Sequence, residues 1–555
     1  MGVRSKSRSK RRLRETTPTP AAAATATAEG CGSGVDLISD LSDDLLVYIL
    51  ELLPDARDAV RTHALSRRWR GLWTRVTALR VASSARPEFT SAAAGGGGVG
   101  AEWYAAFVTD ALALRAAETE PAVEHLAISF NQQKCGVKAR DLAAAVAPSI
   151  IGSAQAWVRY AVDHAVKSLD LEVRLPLPTS FNNPRRPPMA LDQLPSSAAL
   201  ETLRLAIGHA MVQLPATAVF SSLTDLSLER MAVSIDGGQL LTRFLSPACC
   251  PRLKKLRMRK LRLKHAGMDK SLLSLEAGEL SELSLESMED PLCLELRTPN
   301  LRILQIACSS IEELAVYFAP RLEILKFPDQ LPDRVDVVDG ELPRLRILRI
   351  VRLRSHSCYY DIIAPELLND DAIHLLQCCK SVRRLHVSLN IPKKIEQVSD
   401  IIKGRIPHLP TVTILTVTIF LYELHSSGDG LADILTQCNN LKYLCLDFKY
   451  YIVTQKNLGL DLTCHHQDHW KSQEISLAHL KEVEFKGLRG TDCELWLMQS
   501  VISSARDLQK LAVSFSPNYR SEDRSEAFDI TSLVGDGVWT DCHGACLSYK
   551  WRPYL

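Results

Sequence analysis

Residues 343–350 read PRLRILRI, and the same phrase recurs upstream as PNLRILQI at 299–306 and PRLEILKF at 320–327. Each copy places apolar residues at the first, fourth and sixth positions of an L-x-x-L-x-Φ unit, where Φ is apolar. Moving outward, the unit appears at Leu200-Leu203-Leu205, Leu223-Leu226-Leu228, Leu253-Leu256-Met258, Leu280-Leu283-Leu285, Leu301-Leu304-Ile306, Leu322-Leu325-Phe327 and Leu345-Leu348-Ile350. The leading leucines are 23, 30, 27, 21, 21 and 23 residues apart. Later copies are Val382-Leu385-Val387, Val412-Leu415-Val417, Leu441-Leu444-Leu446, Leu480-Val483-Phe485 and Leu508-Leu511-Val513. The apolar pattern stops after six residues, too soon for an amphipathic helix. A strand whose alternate leucines point inward cannot bury that face alone, so neighbouring units must stack into a parallel sheet. The expected fold is therefore α/β, an irregular leucine-rich-repeat solenoid. The Asn or Cys that usually orders the turn after each strand is mostly missing. Irregular, wider convex turns without a tidy ladder are expected.

The segment ahead of the array has a different grammar. Residues 36–73 read DLISDLSDDLLVYILELLPDARDAVRTHALSRRWRGLW. Ser42 can cap a helix whose first turn carries Asp43 and Asp44. Leu46, Ile49, Leu50 and Leu53 follow at helical spacing, with Leu45 and Leu52 broadening the stripe, and Pro54 stops it. Asp55 or Asp58 can cap a second helix carrying Val60, Ala64 and Leu65, and Trp69, Leu72 and Trp73 space out a third. So much apolar surface in about 40 residues needs a staple, a metal or a partner. No Cys or His pair supplies the first two, so a protein partner is expected.

These residues resemble the plant-type F-box, L-P-D-x-L-L-x-x-I-L-S-x-L-P-x-x-x-A-V-R-T-S-x-L-S-R-R-W-R-x-L-W. The chain keeps Leu41, Asp43, Leu45, Leu46, Ile49, Leu50, Leu53, Pro54, Ala59, Val60, Arg61, Thr62, Leu65, Ser66, Arg67, Arg68, Trp69, Arg70, Leu72 and Trp73. It departs at Ser42, usually Pro, and at His63, usually Ser. The resemblance implies docking onto a Skp-type adaptor, and through it onto a cullin scaffold and a RING subunit. The implied contact set is Leu41, Leu45, Leu46, Ile49, Leu50, Leu53, Pro54, Val60, Leu65, Ser66, Trp69, Leu72 and Trp73. Two further stretches resemble plant F-box/LRR proteins of the F-box/FBD type. One is Trp157-Val158-x-x-Ala161 followed by Val166, Leu169, Leu171 and Val173. The other is 476–513, where Leu480, Val483 and Phe485 form a strand, Gly487 and Gly490 turn, Glu494 to Ala505 form a helix, and Leu508, Leu511 and Val513 form the last strand. Together the resemblance covers about 36–515.

The expected organisation is a basic, Ala-rich tail at 1–34, an F-box at 36–80, a Gly/Ala linker at 81–102, the solenoid at 103–475, an FBD-like cap at 476–515 and a tail at 516–555. The chain has 555 residues and a net charge of +2. Residues 1–14 hold Arg4, Lys6, Arg8, Lys10, Arg11, Arg12 and Arg14 without an acid, which leaves the rest near −5 (+2 less seven). Lys10, Arg11, Arg12 and Arg14 form a candidate nuclear signal, although the same composition fits a transit peptide or a merely solvated tail. The expected location is nucleus and/or cytoplasm. With 15 scattered cysteines, often beside leucines as in 292–294 and 444–446, buried free thiols fit better than a disulfide framework. No run approaches 18 apolar residues, so no membrane span is expected.

Cys464, His465, His466 and His469, with Cys542, His543 and Cys546, do not match a standard zinc spacing, so no metal or cofactor is expected. No nucleophile elbow, phosphate loop or dinucleotide fingerprint is present, so no catalytic residue is assigned. The functional expectation is a non-catalytic, substrate-recognition subunit of a Skp–cullin–F-box ubiquitin ligase, its target unknown. Arg257, Arg259, Arg302, Arg346 and Arg349 are candidate contacts to an acidic target. Alternatives are an adaptor-binding scaffold and a nuclear nucleic-acid-binding protein that uses the basic tail and lays Arg67, Arg68, Arg70 and Arg75 of a third helix on DNA; a nucleic-acid partner is not the primary expectation.

Overall fold

The computed structural model describes residues 38, 40–83, 97–117, 122–131, 137–175, 188–208, 210–215, 217–234, 237–263, 270–328, 331–354, 369–391, 402–421, 429–450, 475–517, 530–541 and 547–554. The chain divides into residues 1–46 and 47–555. The first unit contains, among its described residues, the opening of helix α1 (Asp43–Glu51). There the Ser42 hydroxyl accepts the Leu45 amide at 3.4 Å. The basic run Lys10, Arg11, Arg12 and Arg14 lies outside the described residues.

The second unit is organised by one long ladder. Among the described residues fifteen strands run parallel, each bonded to the next of the ladder: Ala78–Ala82, His125–Asn131, Ser168–Arg174, Thr202–Ile207, Asp225–Glu229, Lys255–Arg259, Glu282–Glu286, Ile303–Ala307, Ile324–Lys326, Ile347–Arg354, Arg384–Ile391, Ile414–Leu421, Tyr443–Tyr450, Glu482–Leu488 and Lys510–Phe515. The register locks equivalent positions of the repeat: Leu283 pairs with Leu304, Leu304 with Leu325, and Leu325 with Leu348. The last two apolar positions of each unit fall at or beside these strands. The leading leucine sits just before, tucked into a turn, as when Leu301 donates to Thr298 O at 3.1 Å and Leu322 to Ala319 O at 3.1 Å. Leu301, Leu304, Ile306, Leu322, Leu325 and Phe327 are all buried. Burying each such side chain stabilises by roughly 1.5–3 kcal/mol, which is why the repeat, not any single unit, is the folding element.

Two expectations about the turns are corrected. The back of the middle repeats is not irregular. Pro188–Ala190, Met211–Gln213, Ala232–Val233 and Arg262–Leu263 form one four-stranded parallel ladder, and Ser271–Glu276, Leu292–Arg297, Ile311–Phe318 and Arg334–Val337 form another. Alternating pairs such as Leu273/Leu275, Leu294/Leu296 and Val335/Val337 bury this second row. An ordered turn also survives without Asn. Arg230, Lys260 and Ser287, each one residue past a main strand, adopt φ of 57°, 51° and 51°. Their amides donate to Arg259, Glu286 and Ala307 carbonyls of the following repeat at 2.8 Å. The left-handed conformation costs about 1 kcal/mol for a residue with a Cβ, and the repeated hydrogen bond offsets it.

Helices supply the back elsewhere. Following α2 (Ala56–Arg61), α3 (Gly97–Ala117) and α4 (Val137–Asp163) flank the first strands. Buried Tyr104 and Trp157 meet edge-to-face at 6.3 Å, and the Tyr104 hydroxyl lies 2.9 Å from Val81 O and 3.0 Å from Ser129 O. Later come α5 (Gly237–Phe244), α6 (Asp370–Cys378), α7 (Asp429–Thr436) and α8 (Asp492–Ser503). The segment expected as a linker, 81–102, contains the end of the first strand and the start of α3.

Beyond 515, the described residues 530–541 and 547–554 are not merely a tail. Gly537–Asp541 and Ser548–Pro553 form an antiparallel hairpin. Its second strand adds antiparallel to Lys510–Phe515 and buries Trp551. The last free edge of the ladder is therefore covered by a hairpin beyond the segment expected to cap it, which removes a row of unpaired amides and carbonyls.

Candidate docking surfaces

Asp55, not Asp58, caps α2: its carboxylate accepts the Arg57 amide at 2.9 Å and the Arg57 Nε at 3.0 Å, with both residues buried. The Arg57 guanidinium also donates to Ala82 O on the first strand. Glu51, closing α1, accepts the Thr77 amide at 2.7 Å and the Thr77 hydroxyl at 2.6 Å. The expected third helix does not form as a continuous α-helix. Thr62–Ala64, Arg67–Trp69 and Leu72–Arg75 are separate 3-10 turns. Extended Ser66 (φ −161°) and left-handed Gly71 (φ 81°) interrupt them. Arg67, Arg68, Arg70 and Arg75 thus do not share a recognition helix.

Burial sorts the candidate set. Leu46, Leu50 and Leu72 are interior. Leu41, Leu53, Val60, Trp69 and Trp73 are half-buried, and Pro54 and Ser66 are exposed. Leu45 is 50% exposed, Ile49 41% and Leu65 68%. Tyr48 at 57% and Leu52 at 65% are equally open but fell outside the set. The apolar stripe does not single them out, because Tyr48 on α1 and Leu52 just past it alternate with residues that are interior.

The second surface is the open face of the main ladder, formed by the side chains that alternate with its buried leucines. Toward both ends its charges pair. Arg204 meets Asp170 at 3.1 Å, Arg259 meets Glu286 at 3.4 Å, Lys486 meets Glu484 at 3.0 Å and Lys510 meets Glu482 at 2.7 Å. Of the proposed acidic-target contacts, Arg257 and Arg349 are exposed on this face, and Arg259 belongs to a pair. Arg302 and Arg346 sit one residue ahead of their strands, and Arg302 is matched to Glu323 at 3.1 Å.

Cys249, Cys250, Cys308, Cys378, Cys379, Cys438 and Cys445 are buried free thiols, and Cys293 is half-buried. Burial pushes the Cys250 and Cys438 thiols up to about 12 and the Cys445 thiol to about 11, so these sulfurs stay protonated and poor nucleophiles at neutral pH. Among the described residues no group of three His, Cys, Asp or Glu is placed to hold a metal. Cys464, His465, His466, His469, Cys542, His543 and Cys546 lie outside them. No described helix is long and apolar enough to cross a membrane.

Comparison with known proteins fits this architecture. Residues 154–414 match the family model described as "FBD-associated F-box protein At5g56370, LRR repeats". In Arabidopsis thaliana, putative FBD-associated F-box protein At5g56400 is 59% identical over 46 residues, 8% of this chain and 10% of that protein. F-box/FBD/LRR-repeat protein At4g26340 is 27% identical over 330 residues, 58% of this chain and 65% of that one. Putative FBD-associated F-box protein At5g50270 is 24% identical over 500 residues, covering 86% and 97%. The match thus spans a tenth of the first of these relatives and just under two thirds of the second. The leucine-rich parallel ladder and the family match along residues 154–414 make this chain similar to the LRR region of plant FBD-associated F-box proteins.

Proposed function

We propose that this protein is the non-catalytic, substrate-receiving subunit of a Skp–cullin–F-box ubiquitin ligase. In this reading residues 36–80 are the F-box, 476–515 an FBD-like region, and the ladder holds the target. The carrying observation is the outer flank of α1 and the residue just past it. Tyr48, Ile49 and Leu52 hold large apolar side chains in solvent, beside an interior already filled by Leu50. A surface helix that exposes this much apolar area is suited to a partner's groove. Leu65 is a further exposed apolar residue of the same unit, and Leu45 is exposed in its own. The implied partner is a Skp-type adaptor, which brings a cullin scaffold and a RING subunit. The chain then works by tethering, raising the local concentration of a target lysine near the charged ligase partner. Lys10, Arg11, Arg12 and Arg14 would direct it to the nucleus, with cytoplasm as the other location.

The test is co-expression with a Skp-type adaptor. A stable complex is expected from the wild-type chain and none from Leu52→Asp or Leu45→Asp, with melting temperatures unchanged. A wild-type chain recovered alone and folded in the presence of excess adaptor overturns the proposal.

A further inference from the structure

Five consecutive strands at the centre of the open face break the charge pattern of their neighbours. Ile303–Ala307, Ile324–Lys326, Ile347–Arg354, Arg384–Ile391 and Ile414–Leu421 contain no Asp or Glu. They carry Lys326, Arg349, Arg352, Arg354 and Arg384, together with His386. On either side ion pairs run across or along strands, Lys255 with Glu282 at 3.8 Å, Arg259 with Glu286 at 3.4 Å and Lys449 with Asp447 at 3.0 Å, while Arg257 faces Ser227 and Ser284. The charged side chains within the five central strands are all basic.

A register slip concentrates that charge. Strand Ile347–Arg354 pairs with Arg384–Ile391 so that Arg349 faces His386, and the register then shifts by one residue before Val351. Because side chains alternate with a period of two, an unbroken strand would turn Arg352 and Arg354 toward the leucine side. The bulge keeps them in phase with Arg349: their register partners are Ser388 and Asn390, while Val351 and Leu353 stay buried. Arg349, Arg352 and Arg384 are exposed. Along one border of the patch runs an apolar row at a single register, Ile303, Ile324 and Ile347.

The geometry points to a binding site for an acidic peptide segment of a partner protein, an extended stretch bearing carboxylate or phosphoryl groups with an apolar side chain set among them. The inference deepens the proposed function, on which it rests for the partner being a target. Five strands span about 19 Å from first to last, the length of roughly six extended residues. Arg guanidinium groups take carboxylate and phosphoryl oxygens bidentately. The isoleucine row rewards an apolar side chain, which a free polyphosphate lacks. A nucleic acid continuing past the window would meet Glu282 and Glu286 on one side and Asp447 and Glu484 on the other.

The test uses the full-length chain and fluorescence anisotropy with a panel of labelled peptides of about ten residues, built from Glu, Asp and phosphoserine with one Leu walked through the sequence. Matched neutral peptides, tripolyphosphate and a single-stranded DNA serve as comparators. At least one acidic peptide should bind, and about tenfold more weakly on raising salt from about 50 to 200 mM. Arg349→Glu with Arg352→Glu should weaken it at least about tenfold, Arg349→Lys with Arg352→Lys less, and the exposed control pair Lys254→Glu with Arg344→Glu hardly at all. Unchanged melting temperatures show that the variants are folded. The site is overturned if no acidic peptide binds better than its neutral match, if the folded Arg→Glu pair binds as wild type, or if DNA or tripolyphosphate outbinds every peptide. Adaptor co-purification is scored on the same samples. Peptide binding without adaptor binding overturns only the ligase reading, and the reverse overturns only this site.

Discussion

Arg349 and His386 are register partners on neighbouring strands of the open face, and the histidine pays for that position in basicity. Burial chiefly, and the Arg349 charge next, hold its pKa below the ordinary 6.5, against a smaller opposing pull from Asp447. Its Nε2 lies 2.9 Å from the Thr418 hydroxyl. The unfolded chain therefore holds more protons than the folded one between the lowered value and 6.5, and stability rises with pH across that interval. The contribution is complete above 6.5 and is lost as pH falls through the folded value. His386→Asn should flatten the acid side of a melting-temperature profile taken between about pH 5 and 7.5. A wild-type profile already flat there would contradict the assignment.

Leu50 and Leu52 stand two residues apart, one buried and one 65% exposed. Leu50→Ala should cost about 2–5 kcal/mol in denaturant unfolding. Leu52→Ala should cost within about 0.5 kcal/mol yet reduce adaptor co-purification. Equal stability losses would mean that the outer flank of α1 is core, not a docking face.

Gly487 sits at φ 74° where the pairing of Glu482–Leu488 with the last parallel strand slips between Phe485 and Leu488. A Cβ there would run into the Phe448 carbonyl. Gly487→Ala combines strained backbone with a clash against main chain, so it should destabilise by at least about 1 kcal/mol. Chemical unfolding checks this. Gly404, also at positive φ but with open space around its would-be Cβ, should lose less on the same change.

The ladder was legible because burial dictates it: Leu304, Leu325 and Leu348 recur at strand positions where only stacking can hide them. The back ladders were present in the sequence too, in Leu273/Leu275 and Val335/Val337. Pairs so short look like loop residues until a neighbour is known to lie alongside. The turns at Arg230, Lys260 and Ser287 carry no compositional signal, since the inter-repeat hydrogen bond and not the side chain selects their conformation. The third helix failed at Gly71: spacing at Trp69, Leu72 and Trp73 satisfied helical periodicity, but backbone conformation overrode it. Which apolar residues of α1 face outward could not be read from the stripe, because the leucines are broad enough to supply both sides.

The hairpin at the end of the ladder leads to the last prediction. Ser548–Pro553 pairs along Lys510–Phe515, the Phe515 amide donates to Leu547 O at 2.9 Å, and the Phe515 and Tyr549 rings meet edge-to-face at 6.5 Å. Removing residues 530–555 would strip these bonds from a strand already paired on its other side and expose a bare edge able to recruit another chain. Truncation after Pro517 should lower the melting temperature and shift the protein toward larger species in size-exclusion light scattering. Trp551→Ala should lower the melting temperature with a smaller shift in size, because it loosens the hairpin without deleting the edge cover. A truncated chain that melts as wild type and remains monomeric would show that Leu511, Val513 and Phe515 are held without the hairpin, and that the ladder ends where the parallel strands do.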